Sequence, residues 1–532
     1  KMPMRTMCLG RLNFFIRNNL LLRHPTIKLG QQTRFEFGGC ATRPIRIAGN
    51  ARQIGNIGGV AAGLADLNGD DLPDLVVASF NYPVGFVALL LNAPGANFAA
   101  PVTCPAIGNV GSVDFADFDR DGHLDVAIGT LEGPQVVLLG KGDGTFSSIV
   151  LGAGSMPTPV AAADFNADRI PDLVVGGYGT GVLVGRGDGT FEDAPLCAAG
   201  GTNFLFAGPP PMVVDFDGDG RLDVVTDSSW GAMVMRGRGD GTLRCGLEAG
   251  LAGGQLAGGD LDGDGIADLV ISTQDGKVLV SPGRKRHLAR TATEQMKVER
   301  NAPVRLADID GDGDLDLLFG LRGSGAPGNP NHDAGVLVAL GRGDGTFQTA
   351  VLSSTPHIVR DFTIADIDAD GHADVITVNW EGAVMGETGT TVMHGKGDGT
   401  FVLATDLPRN NETCGVAASD LDGDGRVDLA VAHYDSAGRS EGGILLYAGD
   451  GTGRFDNPAE LLAQPAAVRS VLSADLDGNG HADLIAAADP FVWSGGRISR
   501  LFVWMQACGG QLELSQAIDL PGSRNAVGPL LL

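Results

Sequence analysis

The sequence predicts an all-β protein: a ring of four-stranded antiparallel blades, a β-propeller. Three observations predict it. An acidic run of the form Asp-x-Asp/Asn-x-Asp-x-x-x-Asp recurs nine times, at intervals of 45 to 58 residues. A Gly-Asp-Gly turn recurs between most of these runs. The 82 glycines, the 6% of aromatics and the short apolar stretches cut by Gly, Asn, Asp and Pro describe many strands joined by tight turns. A chain of 532 residues could hold several ordinary domains, but a fixed period favours one repeat architecture.

Residues 113–151 show one unit: VDFA, the acidic run DFDRDGHLD, the apolar VAIGT, a turn at Glu132-Gly133-Pro134, QVVLLG, the turn KGDGTF and a last apolar stretch SIVLG. Four short strands in such a unit make one propeller blade, and closing blades into a ring removes most exposed sheet edges. The turn GKGDGTF at 140–146 returns as GRGDGTF at 185–191 and 341–347, GRGDGTL at 237–243, GKGDGTF at 395–401 and GDGTGRF at 449–455. Asp-Gly between apolar runs is a hairpin signal, because Gly accepts the positive φ such turns require. Three copies spell Arg-Gly-Asp, at Arg186-Gly187-Asp188, Arg238-Gly239-Asp240 and Arg342-Gly343-Asp344. Lys141 and Lys396 replace the arginine at equivalent places, so the turn accounts for the tripeptide without an adhesion receptor.

Both termini read as pieces of another module. Ala526-Val527 and the following GPLLL match AVRSVLSAD at 467–475, and IKLGQQTRFEF at 27–37 echoes VLLGKGDGTFSS at 137–148. Two readings stay open. Residues 53–520 are nine repeats, and either a tenth, closing blade is shared by the termini, with outer strands from 1–52 and an inner strand from 521–532, or the chain is cut from a longer array.

Net charge is −26, and 33 of the 64 acidic residues stand at positions one, three, five and nine of the nine runs. Nine bound divalent cations would bring −26 to −8, so the acidity reads as cation sites. Nucleic acid is excluded as a partner, since phosphate binding needs a basic footprint. Residues 1–52 are foreign to the rest, with ten Lys/Arg and one acid, Glu36. Their stretch RLNFFIRNNLLLRH is Arg-rich like a targeting peptide, yet lacks an uninterrupted apolar core and a small-residue cleavage site. No stretch reaches the roughly 18 apolar residues of a membrane span, so no transmembrane segment is expected. The seven cysteines are spaced too far apart along the modules to pair easily and are expected mostly as small buried residues.

Acids at positions one, three, five and nine of a tight loop can turn their oxygens on one hard cation. These positions are Asp66, Asn68, Asp70 and Asp74; Asp117, Asp119, Asp121 and Asp125; Asp164, Asn166, Asp168 and Asp172; Asp215, Asp217, Asp219 and Asp223; Asp260, Asp262, Asp264 and Asp268; Asp308, Asp310, Asp312 and Asp316; Asp366, Asp368, Asp370 and Asp374; Asp420, Asp422, Asp424 and Asp428; and Asp475, Asp477, Asn479 and Asp483. The paired DxDxDGxxD run and GxGDGTF turn resemble the FG-GAP or VCBS repeat family, to which integrin α-subunit propellers and propeller lectins belong. The resemblance covers about residues 55–520. It implies a Ca²⁺ held by the side chains just named and by the backbone carbonyl at position seven, up to nine ions in all. All-oxygen ligation by several carboxylates suits Ca²⁺ independently. An EF-hand is excluded, since the last acid stands at position nine and strands flank the loop. Position six is Gly in seven runs. Asp71 and Arg169 replace it in the first and third, and with a cation at Arg169 and an amide at Asn166 the third site, Asp164 to Asp172, is expected to be weakest. His123, His372 and His481 at position seven are expected to face solvent.

Nothing reads as catalytic: there is no GxSxG, HExxH, Walker or dinucleotide motif, and carboxylates committed to a metal are poor bases. The expected function is a secreted or cell-surface propeller, stapled by calcium, that binds a glycan or a surface protein. Exposed aromatics in loops that break the repeat, Trp230, Trp380, Trp493 and Tyr434, are candidate contacts, and Asn411-Glu412-Thr413 is a sequon. Two alternatives are carried: a structural subunit of a layer or filament, self-assembled through its terminal strands, and a polysaccharide-active enzyme with its site in the central funnel.

Overall fold

The computed structural model describes residues 52–519, apart from connecting stretches between strands. All regular structure among them is β, and no helix occurs. Nine antiparallel sheets follow one another along the chain as the blades of a nine-bladed propeller. Within each blade the strands pair in chain order, so no strand is exchanged between blades. Blade 1, for example, contains Val60–Ala65, Asp74–Ser79, Phe86–Leu90 and Val102–Cys104, with Arg52–Ile57 paired along its first strand. In blade 3 the short Cys197–Ala198 also pairs with the third strand.

The acidic run sets the blade's register. In all nine blades the second strand begins on the ninth residue of the run: Asp74, Asp125, Asp172, Asp223, Asp268, Asp316, Asp374, Asp428 and Asp483. The strands that follow are covered on both faces by neighbouring blades, as the wholly buried Asp125–Thr130 and Asp268–Thr273 show. They are therefore continuous apolar runs with no in-out alternation. The outermost strand Phe146–Val150 is mostly exposed.

The core is not central. It lies in nine apolar layers, one between each pair of adjacent blades. Val76, Leu89, Val113 and Val126 join blades 1 and 2, and Leu421, Ile444, Leu484 and Trp504 join blades 8 and 9. The ninth layer closes the ring: Leu75, Val77 and Leu90 of blade 1 meet Leu476, Ile485 and Val503 of blade 9. At this seam Gln516 donates to the Phe98 carbonyl at 2.9 Å and accepts the Phe98 amide at 2.8 Å. Buried Asn92 donates to the Leu476 carbonyl at 2.6 Å.

Blade 9 thus packs on blade 1 with no further blade between them among the described residues. The segments expected to build a closing blade, 1–52 and 521–532, lie outside those residues except for Arg52. Cys197 is buried, as expected of most of the cysteines, and is in addition bonded in a disulfide.

Candidate cation centres

Each acidic run is wound around its own carboxylates by the same five backbone hydrogen bonds. In blade 2 the Gly122 amide donates to Asp117 Oδ2 at 3.1 Å, that of Asp121 to Asp119 Oδ1 at 3.2 Å and that of His123 to Asp121 Oδ1 at 2.8 Å. The fourth and fifth both go to Asp125: Phe118 donates to Oδ2 at 2.7 Å and Gly140, at the end of the third strand, to Oδ1 at 2.8 Å. The two bonds to the ninth residue recur in every blade. So do the three bonds to positions one, three and five.

This winding leaves oxygens from positions one, three and nine facing a common point. In blades 2, 4, 5 and 6 the sets Asp117, Asp119 and Asp125; Asp215, Asp217 and Asp223; Asp260, Asp262 and Asp268; and Asp308, Asp310 and Asp316 each bring three oxygens within 4.8 Å of one another. The fifth-position residues Asp121, Asp219, Asp264 and Asp312 stand outside these sets and are exposed. Burial pushes the ninth carboxyls far up, Asp74, Asp223 and Asp483 to about 7 and Asp125, Asp172, Asp268, Asp316 and Asp428 to about 6. The other carboxylates of each run add to the rise, while two backbone donors oppose it. A divalent cation could supply the counter-charge these carboxylates call for. Asp117 Oδ1 and Asp260 Oδ1 are buried without a hydrogen-bond partner, the state of a ligand oxygen shown without its ion. Clusters of carboxylate oxygen with that deficit fit a hard divalent cation.

The FG-GAP-like repeat matches this sequence eight times, over 66–128, 121–175, 165–226, 215–271, 260–319, 308–377, 382–431 and 420–486. The chain belongs to that family. The match names no catalytic activity. No curated protein matches the sequence. Among solved structures, the V. cholerae biofilm matrix protein Bap1 is similar at 15% identity, covering 81% of this chain and 85% of that one, with a TM-score of 0.38. BBS1N in complex with ARL6DN, from a lead-soaked crystal, is similar at 11% identity, covering 71% and 88%, with a TM-score of 0.34. Likeness at this level carries nothing about what the present protein binds.

The FG-GAP centres differ from one another at named residues. In the first and third, the amide at position three donates to position five, Asn68 to Asp70 at 3.1 Å and Asn166 to Asp168 at 2.8 Å, so a neutral group occupies part of the site. Asp71 and Arg169 take positive φ, 66° and 69°, where seven other runs have Gly. Position four is equally left-handed in every run, which the sequence reading missed; Arg120, Ala167 and Ala369 adopt φ of 62°, 60° and 57° there. Arg169 is exposed and forms no ion pair among the described residues.

Arg221 and Arg426 pair with the fifth-position Asp219 and Asp424 at 3.7 and 3.2 Å through largely exposed side chains, whereas Arg236 reaches a third-position ligand from inside, its Nε 3.7 Å from Asp217 Oδ2 and both side chains mostly buried. Arg236 comes from the third strand, at the position just before the glycine that ties Asp223. At the same position in blade 7 stands His394, with Nδ1 3.0 Å from Asp368 Oδ2 and 3.6 Å from Asp374 Oδ1. The other seven blades have Leu91, Leu139, Val184, Pro282, Leu340, Ala448 and Met505 there. A basic residue in an otherwise apolar column was the available signal.

The second motif behaves as a turn. In all six copies the Asp accepts from the Thr (once Thr452) two residues on, for example Asp188 from the Thr190 amide at 3.0 Å and its hydroxyl at 2.5 Å. These bonds lower the Asp188 carboxyl below its ordinary range. Its first glycine lies under position seven of the acidic run: a methyl on Gly142 would collide with the His123 ring, and one on Gly397 with that of His372. Trp230, Trp380, Trp493 and Asn411 lie outside the described residues, as does the Tyr434 side chain. No helix among the described residues is long and apolar enough to cross a membrane.

Proposed function

We propose that the protein is a secreted or cell-surface binding propeller whose acidic centres take calcium, through Asp and Asn at positions one, three, five and nine, to hold each blade rigid for recognition of a glycan or surface protein. One observation carries the calcium part: in every blade a buried ninth-position aspartate ties run to sheet, and in blades 2 and 5 a neighbouring carboxylate oxygen is buried with no partner, Asp117 Oδ1 and Asp260 Oδ1. Oxygen-only donor sets favour calcium over transition metals. Calcium loops of modest affinity fill outside the cytosol, and the disulfide at Cys197 supports an oxidising location. The direct seam between blades 1 and 9 weighs against assembly by strand complementation, which needs an open gap.

The reading is tested by melting the protein in calcium and in chelator, then probing an array of glycans and immobilised extracellular-matrix proteins under both conditions. Calcium should raise Tm by mass action, and binding should be lost with chelator. A Tm indifferent to chelation overturns the calcium role; calcium-loaded protein that binds none of the arrayed molecules overturns the recognition role.

A further inference from the structure

We propose that the centre in blade 7 is a mixed nitrogen-oxygen site, formed by His394, Asp368 and Asp374, that takes a borderline divalent metal of the zinc class in place of calcium. The proposal rests on reading the acidic runs as cation centres and assigns one of them a different ion.

The geometry begins with the far side of the imidazole. His394 Nε2 lies 3.1 Å from the carbonyl of Thr452 in the turn of blade 8, an oxygen that only accepts, so Nε2 carries the hydrogen. In the neutral ring that leaves the Nδ1 lone pair directed into the centre. Nδ1 is buried and makes no hydrogen bond, although Asp368 Oδ2 is only 3.0 Å away. Two acceptors facing each other so closely repel unless a proton or a metal ion lies between them, and a second carboxylate, Asp374, on the same nitrogen favours the metal.

Distances suit a small ion. Two ligands about 2.0 to 2.1 Å from a tetrahedral zinc stand roughly 3.3 Å apart, and the observed separations from Nδ1 are 3.0 Å to Asp368 and 3.6 Å to Asp374. The three donor atoms form one set within 4.8 Å. A backbone carbonyl fixing the outer nitrogen of a ligating histidine is the usual supporting contact of such metals. Imidazole donors favour zinc, copper and nickel, whereas calcium takes oxygen. Packing holds the ring in place: a methyl on Gly453 of the next blade would collide with it. The side chain is 17% exposed, which leaves the site a route for ions.

The test uses the whole chain, stripped with chelator and returned to millimolar calcium so that the all-oxygen centres are filled. Zinc is then titrated, with bound zinc and calcium counted by elemental analysis and cobalt(II) used as a visible-absorbing stand-in. Wild type should bind one zinc equivalent despite the calcium and give a tetrahedral cobalt spectrum. His394→Leu places the residue found in blades 1, 2 and 6 at this position, so it should fold; it should bind zinc at least tenfold more weakly, lose the cobalt band and keep the calcium count of the other centres. Asp368→Asn is the second variant and should also weaken zinc at least tenfold. Wild type that takes no zinc while binding calcium overturns this proposal alone and leaves a simple His394–Asp368 pair. Zinc binding unchanged in His394→Leu also overturns it. Protein that binds neither ion overturns the calcium reading as well.

Discussion

Asp268 Oδ1 accepts the backbone amide of Gly283 at 2.6 Å, while its Oδ2 accepts that of Leu261 at 2.8 Å, so one buried carboxylate joins loop, second strand and third strand. The ninth position is therefore a structural tie in its own right as well as a candidate ligand. Asp268→Ala leaves two buried amides without acceptors, each costing about 1–3 kcal/mol. Its loss, measured by urea unfolding in chelator, should be about 2–5 kcal/mol. Asp264→Ala, at the exposed fifth position of the same run, should lose no more than about 1 kcal/mol under those conditions. Equal losses would show that position nine acts only through metal.

The seam between blades 9 and 1 adds side-chain hydrogen bonds from Asn92 and Gln516 to its apolar layer. Asn92→Ala removes the bond to the Leu476 carbonyl, and Gln516→Ala removes both bonds to Phe98. The double variant should lower hydrogen-exchange protection first in blades 1 and 9, with blade 5 little changed, because stability in a modular ring is partly local. A uniform fall around the ring would refute a weak seam.

What the sequence made legible was what repeats. Nine runs of one spacing placed the second strands, and in six blades the turn motif placed the third and fourth, because the same local physics is applied wherever the motif recurs. The asymmetric residues were not legible. Asn92 and Gln516 matter only because blades 1 and 9 meet in space, and Arg236 and His394 stand in a column whose neighbours are Leu, Val, Pro, Ala and Met. Arg169 was the visible cation, yet its side chain faces solvent, while Arg236, outside any motif, reaches Asp217. The left-handed fourth position was hidden too, since Arg120, Ala167 and Ala369 mask the glycine pattern there.

The third run carries two non-glycine residues at positive φ, Ala167 at 60° and Arg169 at 69°. Each costs roughly 1 kcal/mol in the native backbone, partly offset by glycine's greater freedom when unfolded. Ala167→Gly with Arg169→Gly should therefore raise thermal stability by about 1 kcal/mol and tighten calcium binding at Asp164 to Asp172, whereas Gly220→Ala should do the reverse in blade 4. Calorimetry and calcium titration of the two variants check this; a destabilised double glycine variant would contradict it.

Asp114, on the inner strand of blade 2, accepts the Ala162 amide of blade 3 at 2.8 Å, and burial pushes its carboxyl up to about 6. A folded pKa above the unfolded 3.8 means the favourable, protonated form is fully present below about pH 4, and its contribution is lost as pH rises through about 6. The stability of wild type relative to Asp114→Asn should therefore fall between pH 4 and pH 7. Paired urea titrations across that range cancel the effects common to both proteins, and a flat difference would mean that Asp114 titrates normally.

Arg236 brings a mostly buried positive charge to the third-position carboxylate of blade 4, where blades 1, 2 and 6 have leucine. Its guanidinium nitrogen, 3.7 Å from Asp217 Oδ2, helps hold down a carboxyl that burial and Asp219 raise. Calcium bound as proposed would therefore compete with the arginine at this site. Arg236→Leu, which installs the residue of blades 1, 2 and 6, should destabilise the chelated protein, because Asp217 loses its partner while remaining 4% exposed. In millimolar calcium the same variant should recover to wild-type stability or above it, since the ion replaces the lost charge without competition. The predicted signature is therefore a larger calcium-induced rise in Tm than wild type shows, together with tighter binding at one centre. An equal rise in both proteins would mean that the guanidinium and the ion do not share the site.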